Sequence, residues 1–215
     1  MTTHNGSIEV IGLDWSGVIS DDRRPVYEAN MYLLREYKKP TITSEEFFRR
    51  SLASAQDFLL SRGVEEDPAV LFAKYKKYLE MLERAGISPK LIENADTVLQ
   101  SLYNRGKRLA VVSTHPTENI QREACSYGID RIIELILGSV ESKAAALTQL
   151  VTQMKTQPKN VLYCGDMVHD IRSAKEAGVL SVAVATGYHS RKKLVAESPD
   201  FGVLRNLSDL LTIGI

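Results

Sequence analysis

The chain has 215 residues, 44% hydrophobic and 25% charged, with 27 Lys and Arg against 27 Asp and Glu. Zero formal net charge leaves no global field to attract nucleic acid or an anionic membrane, and apolar runs such as Ile8 to Leu13 fall far short of the roughly 20 residues of a spanning helix. Cys125 and Cys164 alone exclude a disulfide framework or structural zinc site, and the opening MTTHNGSIEV lacks the basic-then-apolar layout of a secretory signal, so a cytoplasmic protein is expected.

In chain order, five short runs rich in Val, Ile and Leu have the composition of strands buried on both faces: Ile8 to Leu13, Arg108 to Val112, Ile132 to Leu137, Val161 to Cys164 and Ser181 to Val184. Amphipathic helices separate the later runs. Ile120, Ala124 and Tyr127 share one face, and Leu147, Leu150, Val151 and Met154 share another. This alternation predicts an α/β fold built on a doubly wound parallel sheet.

The interval between the first two strands is too long for one crossover helix and reads as helices throughout. Phe48, Leu52, Ala55 and Leu59 form one apolar stripe; Leu71, Tyr75, Tyr78 and Leu82 form another. Turn signals at Lys39-Pro40, Gly63 and Gly86 to Pro89 divide the segments, and a helix near Ala95 to Asn104, stopped by Gly106, returns the chain to the sheet. The expected organisation is an α/β core of residues 1–20 and 95–215, interrupted by an all-helical insert over 21–94.

Ligands in a doubly wound sheet bind at the carboxyl ends of the strands. Here strand one runs into Asp14-Trp15-Ser16-Gly17, strand two into Ser113-Thr114-His115, and strand four into Gly165-Asp166 and on to His169-Asp170, while Lys143 opens the helix after strand three. Individually these are ordinary caps and first-turn acids. Three carboxylates, a hydroxyl and a lysine converging on one sheet edge would be costly to assemble without a metal or phosphate to bind.

In that order the segments IGLDWSGV, LAVVST, ESKAAAL and YCGDMVHD resemble the four motifs of the haloacid dehalogenase superfamily, and the chain is most similar to its phosphoglycolate-phosphatase-like members with a helical cap. The resemblance implies a Mg²⁺-dependent phosphatase of small phosphorylated metabolites, a phosphoric monoester hydrolase with a Rossmann-like core. Asp14 would be the nucleophile that forms an aspartyl-phosphate; Asp14, the backbone carbonyl of Ser16, Asp166 and Asp170 would hold the metal. Ser113 would hydrogen-bond the phosphoryl group, with Thr114 competing for that role, and Lys143 would neutralise it.

One residue departs from the pattern. Phosphatases of the family usually carry a second Asp two residues after the nucleophile as general acid and base; this chain has Ser16. Losing such catalysis typically costs about 10²- to 10⁴-fold. Turnover would then favour leaving groups that need little protonation, such as acyl phosphates or phosphoanhydrides, or recruit His115, His169 or His189. The sequence DWSG also resembles the DWAG of phosphonoacetaldehyde hydrolases, which need a cap lysine that the stretch from Pro40 to Ala73 lacks. A third alternative is a phosphate-binding regulatory protein with weakened catalysis. In the insert, Arg23, Arg24, Arg49 and Arg50 are candidates for an anionic substrate group, with solvated surface residues the blander reading. Neither the substrate nor the oligomeric state is written in the sequence.

Overall fold

The computed structural model describes residues 7–50 and 55–215. The chain divides into two compact units, Met1–Ser20 with Leu91–Ile215, and Asp21–Lys90.

In the first unit, the described residues form a six-stranded parallel sheet from β1 (Val10–Leu13), β4 (Arg108–Val112), β5 (Ile133–Leu137), β6 (Val161–Gly165), β7 (Leu180–Val184) and β8 (Val203–Leu204), in the order β5-β4-β1-β6-β7-β8. The sequence reading contained five of these; the two-residue β8 is too short to leave an apolar signature. Helices α5 (Ala95–Asn104), α6 (Thr117–Ser126), α7 (Lys143–Gln153), α8 (Val168–Ala177) and α9 (Arg191–Ala196) connect the strands. β1 lies at the centre, with Leu13 opposite Val111 on one side and Cys164 on the other. Chain order runs outward from β1 in both directions, so β1 is the topological switch point, where open α/β sheets take ligands.

Both faces of the sheet are covered. Ile11, Leu13, Leu109, Val111 and Leu162 pack with Val98, Leu99 and Leu102 of α5 and Ile120 and Ala124 of α6. From alternate positions Val10, Ala110, Val112, Val161 and Tyr163 pack with Leu147, Leu150 and Met154 on the α7 side and Ala174 of α8. This two-sided burial is why the strands read as continuous apolar runs. Truncating a residue such as Leu13 to Ala would cost about 2–5 kcal/mol.

The second unit is helical: α1 (Arg23–Glu36), α2 (Ser44–Arg50), α3 (Ala55–Ser61) and α4 (Pro68–Arg84). Met31, Leu33, Leu34, Phe47, Phe58, Leu59, Val64 and Leu71 form its core, with Phe47 and Phe58 edge to face at 4.7 Å. The single stripe read from Phe48 to Leu59 is two helices, and Phe47 is buried while Phe48 is half-buried; Leu52 lies outside the described residues. In α4, Leu71 and Leu82 are buried and Tyr75 and Tyr78 half-buried. Asp67 caps α4 by accepting hydrogen bonds from the Ala69 and Val70 amides ahead of Pro68, whose fixed φ suits a first turn. Of the insert's arginines, Arg23 pairs with Asp21 at 2.8 Å and Arg50 with Glu46 at 2.6 Å. A two-stranded ribbon, β2 (Ser20–Asp21) with β3 (Lys90–Leu91), marks the two crossings between units.

Among the described residues no helix is long and apolar enough to cross a membrane.

Candidate active site

Strand register fixes where the polar residues emerge. Asp14 follows β1 directly, and its amide donates to the Cys164 carbonyl at 2.9 Å. Ser113 follows β4, Asp166 follows β6, and Asp170 sits in the first turn of α8. Asp14, Ser113, Lys143, Asp166 and Asp170 are all buried.

Lys143 is the electrostatic centre. Its Nζ donates to Asp14 Oδ2 at 2.7 Å and to Asp170 Oδ1 at 2.5 Å. Ser142 caps α7 through the Ala145 amide, setting Lys143 as the first helical residue. Burial works against the Lys143 charge, but the two carboxylates outweigh it and push the pKa upward, so the ammonium is retained. Asp14 also accepts from the Trp15 amide through Oδ1 at 2.8 Å, and the nearby Ser113 hydroxyl favours its charged form. Burial raises its pKa, with Lys143 opposing and Asp170 adding to the rise.

Asp170 is fully engaged: Oδ1 meets Lys143, and Oδ2 accepts from the Asp166 and Met167 amides at 3.2 and 2.9 Å. Asp166 contrasts with it. Oδ2 accepts from the Tyr188 amide at 2.6 Å, whereas Oδ1 is buried with no hydrogen-bond partner. Burial, then Asp170 and Asp14, push the Asp166 pKa well above the usual carboxylate range. Carboxylate oxygens of Asp14, Asp166 and Asp170 all lie within 4.8 Å of one another. Ionised together, three buried carboxylates against one ammonium would leave net negative charge in a water-poor site. A hard divalent cation that takes oxygen ligands offsets that charge and gives Asp166 Oδ1 a partner. The donor set therefore fits Mg²⁺.

Backbone glycines keep the carboxylates close. A Cβ on Gly187 would come within 1.9 Å of Asp166 Oδ2, one on Gly17 within 2.5 Å of it, and one on Gly165 within 2.2 Å of the Asp170 side chain. Gly17 also has φ of +77°, which the tight turn after β1 requires.

Thr114 is exposed while Ser113 is buried against Asp14, so of the two hydroxyls only Ser113 lies within the carboxylate cluster. Ser16 is half-buried in the turn. The three candidate histidines are in different settings. His115 Nε2 faces Glu123 Oε1 at 3.6 Å, His169 is exposed, and His189 Nδ1 accepts from the Val168 amide at 2.9 Å.

Sequence reasoning missed Glu123. It is buried on α6 and its Oε2 accepts from Trp15 Nε1 and Ser20 Oγ, both at 2.8 Å. Burial raises the Glu123 pKa, but the neighbouring His115 imidazole and the hydrogen bonds from Trp15 and Ser20 outweigh it and hold the carboxyl below its ordinary value. The one available signal was Trp15, because a buried indole N–H needs an acceptor. The Tyr188 amide on Asp166 was equally invisible, since backbone donors leave no residue-type signature.

At the switch point of the parallel sheet, one buried carboxylate thus faces two further carboxylates and a lysine, in an α/β fold that takes ligands at this edge. The family model of haloacid dehalogenase-like hydrolases matches residues 12–184, and the chain belongs to that family. A phosphoglycolate phosphatase of Synechococcus elongatus is 32% identical over 124 residues, which cover 57% of this chain and 58% of that protein. One from Mannheimia succiniciproducens is 24% identical over 97% of this chain and 99% of its own length. The fold matches a predicted phosphoglycolate phosphatase of Haemophilus somnus at a TM-score of 0.81, with 21% identity and full coverage of both chains. It also matches a haloacid dehalogenase-like family hydrolase of Streptococcus pneumoniae at 0.83, with 19% identity over 95% of this chain and 97% of that one.

Proposed function

We propose that the protein is a Mg²⁺-dependent phosphatase of small phosphorylated metabolites that works through an aspartyl-phosphate at Asp14. The observation that carries this reading is the buried cluster of Asp14, Asp166 and Asp170 around Lys143, with Asp166 Oδ1 unpartnered. The phosphoglycolate phosphatases to which the chain is similar support the same reaction class.

Asp14 attacks phosphorus with a carboxylate oxygen; the P–O bond to the leaving group breaks and its electron pair departs with that oxygen. Water then attacks the phosphoaspartate, releasing inorganic phosphate and restoring the carboxylate. Splitting one displacement into two lowers the barrier of each. The Lys143 ammonium, held between Asp14 and Asp170, balances charge on the transferring group, and Ser113 donates a hydrogen bond to it. Asp14, Asp166 and the Ser16 carbonyl would hold Mg²⁺, with Asp170 ligating or orienting a bound water. When bound, the ion supplies Lewis-acid polarisation of the phosphoryl oxygens. Thr114, exposed at the end of β4, is available to the substrate rather than to Asp14. The helical unit serves as a cap that sets specificity.

Ser16 cannot protonate a leaving group at neutral pH, which favours acyl phosphates and other good leaving groups. The test is phosphate release with and without Mg²⁺ from acetyl phosphate, p-nitrophenyl phosphate, phosphoglycolate and a sugar phosphate, with Asp14→Asn as the blank. Mg²⁺-dependent release, faster by about 10² or more for the first two, is expected. Full turnover by Asp14→Asn would overturn the nucleophile assignment. No release from any of the four would overturn the phosphatase reading, leaving C–P cleavage or phosphate binding without turnover.

A further inference from the structure

The turn after β1 follows Asp14 directly, and a distant carboxylate grips both of its ends. The Trp15 carbonyl accepts from the amides of Val18, Ile19 and Ser20 at 3.3, 2.9 and 3.0 Å, and the Gly17 amide donates to the Ser20 carbonyl at 2.8 Å. These bonds close residues 15–20 into a compact knot. Backbone and loop contacts hold its middle, with the Ile92 amide on the Ile19 carbonyl at 2.8 Å and Thr186 Oγ1 on the Gly17 carbonyl at 2.7 Å, and Glu123 holds its two ends. Its Oε2 takes Trp15 Nε1 at the start of the knot and Ser20 Oγ at its end. The Trp15 ring stacks on Tyr127 one turn further along, with 6.2 Å between centroids, and the Tyr127 hydroxyl reaches Ser20 Oγ at 3.0 Å.

Trp15 thus faces two ways. Its indole N–H is held by Glu123, and its backbone N–H holds Asp14 Oδ1 at 2.8 Å. Gly17, in the same knot, lies so close to Asp166 that no Cβ fits between them. A shift of the knot would therefore move both Asp14 and the space available to Asp166. The other Glu123 oxygen faces His115, two residues beyond Ser113. One carboxylate on α6 ties the nucleophile turn to the loop after β4.

We propose that Glu123 is a positioning residue for the Asp14 nucleophile, acting through Trp15 and Ser20. The proposal rests on the phosphatase reading for its kinetic arm but has a spectroscopic arm independent of turnover. Trp15 is the only tryptophan in the chain, so its emission reports this contact directly.

The experiment compares wild type with Glu123→Leu, Glu123→Gln, Trp15→Phe and the Trp15→Phe/Glu123→Leu double variant. With acetyl phosphate and Mg²⁺, Glu123→Leu is expected to lower kcat at least about tenfold with KM within about twofold, because misplacing a reacting group costs rate. Glu123→Gln, which keeps an acceptor oxygen, is expected to recover most of that loss. The double variant should lose no more than the worse single variant, as expected of residues acting through one contact. Unchanged kcat in folded Glu123→Leu, or additive losses, would overturn the proposal. Glu123→Leu is also expected to shift Trp15 emission and to move the midpoint of its Mg²⁺ response by about tenfold, with Glu123→Gln near wild type. Identical emission and identical Mg²⁺ response in wild type and Glu123→Leu would overturn it whether or not any phosphate ester is hydrolysed. Absence of turnover in wild type would count against the phosphatase reading alone.

Discussion

At Asp166, stability and function oppose each other. Its side chain is fully buried, one oxygen lacks a partner, and two other carboxylates stand within ligand distance. Replacing Asp166 by Asn removes a carboxyl whose ionised form burial, Asp170 and Asp14 all disfavour, while preserving shape. Metal-free Asp166→Asn is therefore expected to melt above metal-free wild type; each kcal/mol gained is worth roughly 2–4 °C for a chain of this size. If the cluster holds Mg²⁺ as proposed, the ion is expected to raise the wild-type Tm, and the same variant should lose that rise. Thermal melts with EDTA and with Mg²⁺ measure both, and a metal-free Tm below wild type would contradict the charge argument. Glu123 behaves in the opposite sense. Its folded pKa lies below the ordinary 4.5, so the stability it contributes is fully present above that value and is lost as pH falls through the folded pKa. Denaturant unfolding of wild type and Glu123→Gln should show a gap of about 1–3 kcal/mol at pH 7 that closes in the acid range below 4.5. A gap that widened as pH fell would show that the carboxylate is not what stabilises the turn.

At the level of elements, the sheet makes the site by bringing three loop starts together, and the loops have little freedom once there. The segment Thr186 to His189 shows this: Thr186 Oγ1 donates to the Gly17 carbonyl at 2.7 Å, Gly187 abuts Asp166, and the Tyr188 amide holds Asp166 Oδ2. Gly187→Ala must push Asp166 aside without any left-handed backbone strain. Its expected effect is a weaker Mg²⁺ response, by about tenfold or more in the midpoint, with Tm changed by only a few degrees. A wild-type midpoint would mean the loop yields instead of Asp166. This loop also marks the limit of what sequence carries. The strand Arg108 to Val112 and the helix Ala95 to Asn104 were legible to the residue, because a two-sided apolar run and a Gly stop are local signals. Asp14, Ser113, Lys143, Asp166 and Asp170 were legible as polar residues leaving strands and opening helices. The bond from Glu123 to Trp15 joins residues 108 positions apart and has no periodicity. Strands of two residues and a stripe that merges two short helices are equally beyond pattern reading.

For the whole molecule, the insert's position has a physical consequence. The chain leaves the α/β unit after Ser20 and returns at Leu91, and within that unit the Ile92 amide donates to the Ile19 carbonyl at 2.8 Å. The exit and the return are thus held side by side by the core itself. Every carboxylate of the cluster, Lys143, Ser113 and the Trp15–Glu123 contact belong to the α/β unit, and the helical unit has its own core around Phe47, Phe58 and Leu71. Replacing residues 22–89 by a short Gly/Ser linker closes a loop whose ends are already adjacent, and the cost of loop closure grows only slowly with length. The shortened chain is expected to unfold in one cooperative transition. Mg²⁺ should still raise its Tm, since a ligand that binds only the folded state stabilises it in proportion to the logarithm of its saturation. If the helical unit acts as the cap, the shortened chain should also lose discrimination between phosphoglycolate and a sugar phosphate while still hydrolysing acetyl phosphate, because closing elements of that kind exclude water and complete the substrate contacts. Calorimetry and phosphate release on the two chains decide the matter. A shortened chain that folds but no longer responds to Mg²⁺ would show that the cluster needs the helical unit, and unchanged discrimination would remove specificity from it.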